Sequence, residues 1–249
     1  MHKLKLILFF IVFIFIISGC DATLLGPSLG DNLFPLTVGN KFEYKMVDLD
    51  STQTEIPETA RNFTREIGTP VYVDGYLASP VYGTYFDMNN NNIVGRDTLY
   101  VYKSQADDTI SYYIKIIIPL TDTSTLTINK WVPIFLRQYG SEYTYTFFDS
   151  TVIVTNVIGG VEYPMSLTVT LYNMTGSKIK TAVIENSDGY WTNRLSISYA
   201  LKQAGVNIRT GDFYRVWLAE HVGPVRETKY YLERRTGTNI ELTSKTIIK

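Results

Sequence analysis

Beyond the first residues the chain carries one histidine, His221, and one cysteine, Cys20. A Ser-His-Asp triad would have to use His221, and no Gly-x-Ser-x-Gly elbow accompanies it. Zinc sites collect several His and Cys ligands, so His221 reads as a turn residue. Oxygen-bearing side chains at Asp87, Asn89 and Asn91 occupy the first, third and fifth positions of a calcium-loop spacing. The loop departs from that pattern at Asn92, where a glycine is needed, and at Thr98, where a bidentate glutamate is needed. A hairpin loop in which asparagine takes a positive φ is the stronger reading, and calcium the weaker one. Asp107 and Asp108 are adjacent, so on a strand they would face opposite ways and not share a substrate. No phosphate-binding glycine loop, dinucleotide fingerprint or Cys-x-x-Cys is present. The sequence assigns no catalytic residue and no cofactor.

The lone cysteine has a different chemistry. Lys3 and Lys5 precede an unbroken apolar run from Leu6 to Ile17, twelve residues long. A bilayer-spanning helix needs about 20 such residues, so this run suits the apolar region of a signal peptide. It ends in Ile17-Ser18-Gly19-Cys20, which resembles the lipobox of bacterial lipoproteins. The resemblance implies a diacylglycerol on the Cys20 thiol, cleavage after Gly19 and acylation of the new amino terminus. Two or three acyl chains, such as palmitate, would hold a protein stably to a membrane, since each buried methylene contributes about 0.8 kcal/mol. A single unpaired thiol in an oxidising compartment is also unusual, and lipidation removes it. The expected organisation is a signal peptide over 1–19, a lipidated tether over 20–33 and a β-rich extracytoplasmic part over 34–249, as one unit or two sub-halves. The expected location is the cell membrane or the outer membrane, with the choice left open.

Charge excludes one class of partner. Without Lys3 and Lys5 the 23 basic and 24 acidic residues become 21 and 24, a net charge of −3. A nucleic-acid binder would show a basic surplus in clusters, so nucleic acid is excluded as a partner. Nineteen tyrosines suit the pleated, half-buried surfaces of strands.

The elements that would position any site are strands. Lys41 to Val47 alternates with period two. Asp74-Gly75, a favoured type I′ pair, joins Val71–Val73 to Tyr76–Ala78. Val81–Phe86 and Thr98–Tyr102 flank the asparagine loop. Ser111–Ile118, Tyr143–Phe148, Thr151–Ile158, Val161–Tyr172 and Lys178–Ile184 continue the pattern, with Gly159-Gly160 as a turn. Over 192–204 a helix ended by Gly205 competes with a strand through Leu195, Ile197, Tyr199 and Leu201, and the strand is favoured. Phe213–Glu220, Val225–Leu232 and Asn239–Ile248 complete the series. On the first of these, Phe213, Arg215, Trp217 and Ala219 share one face, and Tyr214, Val216 and Leu218 the other. Both faces are apolar, so the strand is expected inside the sheet with Trp217 as a core anchor. Strands in tandem predict a mainly β fold: an antiparallel curved sheet, open barrel or sandwich-like, with at most one or two short helices.

Two segments carry a family resemblance. Phe34-Pro35-Leu36-Thr37-Val38-Gly39-Asn40-Lys41-Phe42-Glu43-Tyr44 is similar to the FPL-x-x-G-N opening of many uncharacterised bacterial lipoproteins. Gly211 to Arg226 resembles their aromatic strand, short turn and V-G-x-V sequence; Gly223 and Pro224 form that turn, with Pro224 replacing a commonly apolar residue. Gly223 can take a positive φ there. The resemblance implies a curved antiparallel sheet, in some members an open barrel like the periplasmic lipoprotein carriers. It supplies no catalytic residues. The expected function is therefore non-catalytic: a lipid-anchored envelope lipoprotein that binds an amphipathic ligand, a glycan or a protein partner, or supports an envelope assembly. The rival is an extracytoplasmic hydrolase whose carboxylates meet only on folding.

Overall fold

A computed structural model describes residues 34–104, 109–120, 125–136, 143–155, 162–174, 178–179, 190–219, 222–231 and 236–248. Cys20 with its tether, Asp107-Asp108, Gly159-Gly160 and His221 lie outside the described residues.

Every regular element among the described residues is a strand. In chain order they are β1 (Lys41–Leu49), β2 (Glu55–Ile67), β3 (Val71–Val73), β4 (Tyr76–Phe86), β5 (Ile93–Ser104), β6 (Thr109–Pro119) and β7 (Thr125–Leu136). There follow β8 (Tyr143–Thr155), β9 (Glu162–Met174), β10 (Lys178–Ile179), β11 (Tyr190–Gln203), β12 (Val206–Ala219), β13 (Gly223–Tyr231) and β14 (Thr236–Thr246). They form one 14-stranded antiparallel sheet in the order β7-β6-β5-β4-β2-β1-β14-β13-β12-β11-β9-β8, with β3 on β4 and β10 on β11. The first strand thus pairs with the last. The sheet curls without closing: β7 comes against β9, but no ladder joins them. One continuous cluster of buried side chains fills the concave face, from Ile110, Val132 and Ile134 on one wing to Leu167, Leu195 and Val216 on the other.

Alternation explains most strands. In β1, Phe42, Tyr44 and Met46 point inward and Lys41, Glu43 and Lys45 outward. Asp74 and Gly75 have φ of 48° and 85°, as a type I′ hairpin requires. Ala204 and Gly205 repeat this geometry with φ of 48° and 81°. Gly205 therefore closes a hairpin between β11 and β12 and does not end a helix. The two segments read as Tyr143–Phe148 and Thr151–Ile158 are one strand, β8, whose pairing with β9 is interrupted between Thr146 and Phe148. Such a bulge breaks period two locally and leaves the strand intact.

Two strands had no clear signature. β2 is rich in Glu, Thr and Arg, and only its last turns inward, at Phe63, Arg65 and Ile67. β7 contains Pro133, which lacks a ladder donor and weakens the strand signal; β7 is an edge. On β12 the core residues are Val216 and Leu218, both fully buried. Trp217 corrects the expectation of a core anchor: it is half-buried on the other face, packs against the rim of the core, and lies under the Arg226 guanidinium at 5.9 Å.

The two segments that carry the family resemblance touch. Phe34 is 1% exposed and packs on Phe42 and Tyr112, with ring centroids 6.2 Å apart in each case. Gly223 has φ of 93°, and a Cβ there would lie 2.9 Å from the Phe34 ring and 3.5 Å from Pro35. The Tyr44 hydroxyl donates to the Pro224 carbonyl at 3.2 Å. Buried Asn40 donates to the Pro35 carbonyl at 2.9 Å and accepts the Ile248 amide at 2.8 Å. The FPL-x-x-G-N opening is thus a clamp that ties the chain's entry to its last strand and to the β12–β13 turn.

Candidate functional site

The pairing registers open the sheet at two places. β5 and β6 pair from Ser104↔Thr109 to Tyr100↔Tyr113 and then part; Ile93–Leu99 stays with β4 and Ile114–Pro119 with β7. β12 and β13 pair from Ala219↔Gly223 to Tyr214↔Lys229 and then part; Val206–Phe213 stays with β11 and Tyr230–Tyr231 with β14. Both forks open onto one cavity of about 650 Å³. This lies within the roughly 300–1,000 Å³ usual for small-molecule sites. Its walls are apolar, with Leu99, Ile114, Ile116, Ile197 and Phe213.

The polar end of the cavity comes from inward-facing positions on neighbouring strands. Arg65 on β2 and Glu227 on β13 form a bidentate ion pair, with the second Arg65 nitrogen donating to Oε2 at 2.9 Å. The two side chains are only 4% and 0% exposed. The guanidinium also lies 5.2 Å from the Phe63 ring and 5.7 Å from the Tyr44 ring. Tyr214 hydrogen-bonds to Glu227 as well. A buried pair is tolerated only when its remaining donors and acceptors are engaged, and here the Glu227 carboxylate receives three donors.

Beside this pair lie three groups with different circumstances. Tyr112 is 1% exposed, and its hydroxyl has no hydrogen-bond partner among the described residues. Burial, reinforced by the Glu227 charge, holds that phenol well above its usual pKa, so it remains a neutral O–H. Lys229 sits opposite Tyr214 in the ladder and meets Asp97 at a long 3.8 Å. Burial pulls the Lys229 ammonium below its usual pKa, and the nearby Arg65 adds to that effect. Asp97 accepts a short hydrogen bond from Tyr85, whose own phenol is pushed up by burial and then by Asp97. Arg65, Gly83 and Asp97 stand in register across β2, β4 and β5. A Cβ at Gly83 would lie 1.9 Å from the Asp97 carboxylate, so a side chain there would displace Asp97. The arrangement offers an apolar slot with the Lys229 side chain at its polar end.

The sequence-derived candidates lie elsewhere. Asp87, Asn89 and Asn91 sit in the β4–β5 hairpin, remote from the forks along both strands. Asp87 Oδ1 accepts the amides of Asn89 at 2.8 Å and Asn90 at 3.2 Å, Asn91 has φ of 56°, and Asn62 donates to the Asn91 side chain at 3.1 Å. Asp87 thus serves the turn itself, and Asn91 ties the turn to β2. Gly223 and Pro224 lie at the far end of β13 from the cavity's Lys229–Tyr231, in the contact with Phe34. None of the polar residues of the cavity had been singled out. A usable signal existed: Phe63-x-Arg65-x-Ile67 and Val225-x-Glu227-x-Lys229 place charges in the inward phase of apolar strands.

No protein-family model and no curated protein matches the chain. Two solved structures are similar. One is a "putative exported protein with YmcC-like fold" from Bacteroides fragilis NCTC 9343, with TM-score 0.42 and 9% identity over 86% of this chain and 99% of that one. The other is a "putative lipoprotein" from Parabacteroides distasonis ATCC 8503, with TM-score 0.41 and 12% identity over 86% of this chain and 98% of that one.

Proposed function

We propose that this chain is a lipid-anchored, extracytoplasmic binding protein that takes an amphipathic ligand into the cavity between the two strand forks. The observation that carries the reading is the cavity itself, about 650 Å³ with apolar walls and Lys229 at its polar end. The lipid anchor is supported by the sequence around Cys20 alone. The hydrolase alternative would use Asp97 and Glu227, the carboxylates nearest the cavity. Both are already occupied by Tyr85, Lys229, Arg65 and Tyr214, which favours binding over acid–base work. A single experiment addresses both halves of the proposal. The chain is expressed with its N-terminus intact, extracted from membranes, irradiated with a diazirine-bearing fatty amphiphile, digested and analysed by peptide mass. The expected result is a diacylglycerol-derived mass on Cys20 and adducts on the β5, β6 and β12 walls. An unmodified Cys20 would refute the anchor. Adducts confined to exposed hairpin tips such as Tyr72 and Leu77 would refute the cavity.

A further inference from the structure

The geometry points to a membrane contact: the β3–β4 hairpin lies on the bilayer that holds the Cys20 lipid, with Tyr72 and Leu77 inserted at the level of the head groups. The inference rests on the lipid anchor proposed above and is independent of the cavity.

Where the chain enters the sheet decides which end faces the bilayer. Phe34 is fixed against Phe42 at the start of β1 and against Gly223 at the β12–β13 turn. Antiparallel pairing brings the end of β2 to the same place, with Lys41 opposite Glu66. The Gly39 amide donates to the Ile67 carbonyl at 2.8 Å, and the hairpin begins at Val71. Residues 20–33, fourteen in number, are the chain between the lipid and Phe34. A chain of that length spans about 20 Å at random-coil dimensions and about 50 Å fully extended. Val206 opens β12 at the other end of the sheet, thirteen residues from Ala219 and so about 40 Å from the β12–β13 turn. The β3–β4 hairpin is therefore at the near end and the Ala204-Gly205 tip at the far one.

The hairpin has the make-up of an interfacial segment. Tyr76 to Ala78 run past the last β4–β5 pair, Ser79↔Val101. Tyr72 and Leu77 stand opposite each other across the hairpin and are 79% and 53% exposed. Val71 and Tyr76 are exposed as well. Asp74, in the turn, is the one charge over 71–78. On the other face of the hairpin an aromatic group backs Tyr76. Its ring centroid lies 4.8 Å from that of Tyr102 and 5.6 Å from that of Trp131, which meets Tyr113 at 5.3 Å. Tyr and Trp concentrate at membrane–water interfaces, because the ring enters the apolar layer while its polar tip stays wet. Four exposed side chains fall short of the roughly 800 Å² per partner that a stable protein interface buries. A surface already held close by the anchor needs no such area, since its contact is intramolecular in effect.

The test uses the full lipidated chain in phosphatidylcholine vesicles, with an NBD fluorophore on Leu77→Cys or, at the far end, on Val206→Cys. A lipidated Cys20 takes no label, so intact mass should show one fluorophore per chain. Phosphatidylcholine brominated on its acyl chains should quench the Leu77 probe at least about two-fold and leave the Val206 probe unquenched, since interfacial segments sit about 5–10 Å into the boundary layer. Tyr72→Glu puts a charge beside the probe at an exposed position, and should return the Leu77 probe to its unquenched emission. An unquenched Leu77 probe on vesicle-bound chain, quenching at Val206 equal to or above that at Leu77, or quenching that persists in Tyr72→Glu overturns the hairpin contact and leaves the anchor standing. A second fluorophore on Cys20, or chain that does not float with the vesicles, overturns the anchor and this inference with it.

Discussion

Arg65 and Glu227 stand 162 positions apart in sequence and meet where almost no water reaches. A charge removed from such a pair leaves its partner uncompensated in a low-dielectric interior. Arg65→Met or Glu227→Gln alone is therefore expected to destabilise the fold by about 3–5 kcal/mol in chemical denaturation. The double replacement by apolar residues of similar volume should cost much less, and can even stabilise. A double variant as unstable as the two singles combined would show that the pair contributes more than self-compensation. None of this was legible from residue types. A chemistry search through the sequence stops at histidines, carboxylate pairs and loop motifs, and Asp87, Asn89 and Asn91 attract attention for that reason. The Asp87 carboxylate bonds the backbone two residues on, as aspartate does in turns. Arg65 and Glu227 look like ordinary solvated charges until the phase of their strands is known.

At the scale of elements, the sequence was readable wherever period two ran uninterrupted. β1, the β3–β4 hairpin and the second half of β12 followed from alternation and from Asp74-Gly75, and β6 from its β-branched and aromatic run. The readings that failed have local physical causes. β2 carries so many polar side chains that its inward phase shows only at Phe63, Arg65 and Ile67. Pro133 hides β7, and a bulge splits β8 in two. Trp217 was taken for a core anchor because both faces of its strand are apolar; the pleat turns Val216 and Leu218 inward instead. The β12–β13 turn is the element most exposed to a single change. Gly223 combines a φ of 93° with a Phe34 ring 2.9 Å from where a Cβ would stand. Gly223→Val should therefore lose about 2–5 kcal/mol in thermal unfolding, from backbone strain and overpacking together. Gly223→Val paired with Phe34→Ala should recover the packing share and keep the strain. Wild-type stability of Gly223→Val would contradict the clamp between the two ends of the chain.

For the whole molecule, the curved sheet creates the cavity because strands that pair at one end separate at the other. Twist accumulates along so many strands, and a sheet of this size curls or splits rather than staying flat. The sequence announced an antiparallel curved sheet, but the registers that set where β5 leaves β6 and β12 leaves β13 depend on long-range pairing. The cavity could therefore not be read from spacing. The same registers make the binding claim testable by filling the space. Ile114 and Leu99 line the cavity from the two sides of the β5–β6 fork. The decisive measurement is the laurate binding isotherm of the full chain carrying Ile114→Trp, with Leu99→Phe as a second filling variant, each checked for native β-sheet circular dichroism and melting. The account predicts that a folded, filled variant loses at least about ten-fold in affinity, because the ligand and the added ring compete for the same space. Folded variants that bind laurate as tightly as the wild type would contradict it.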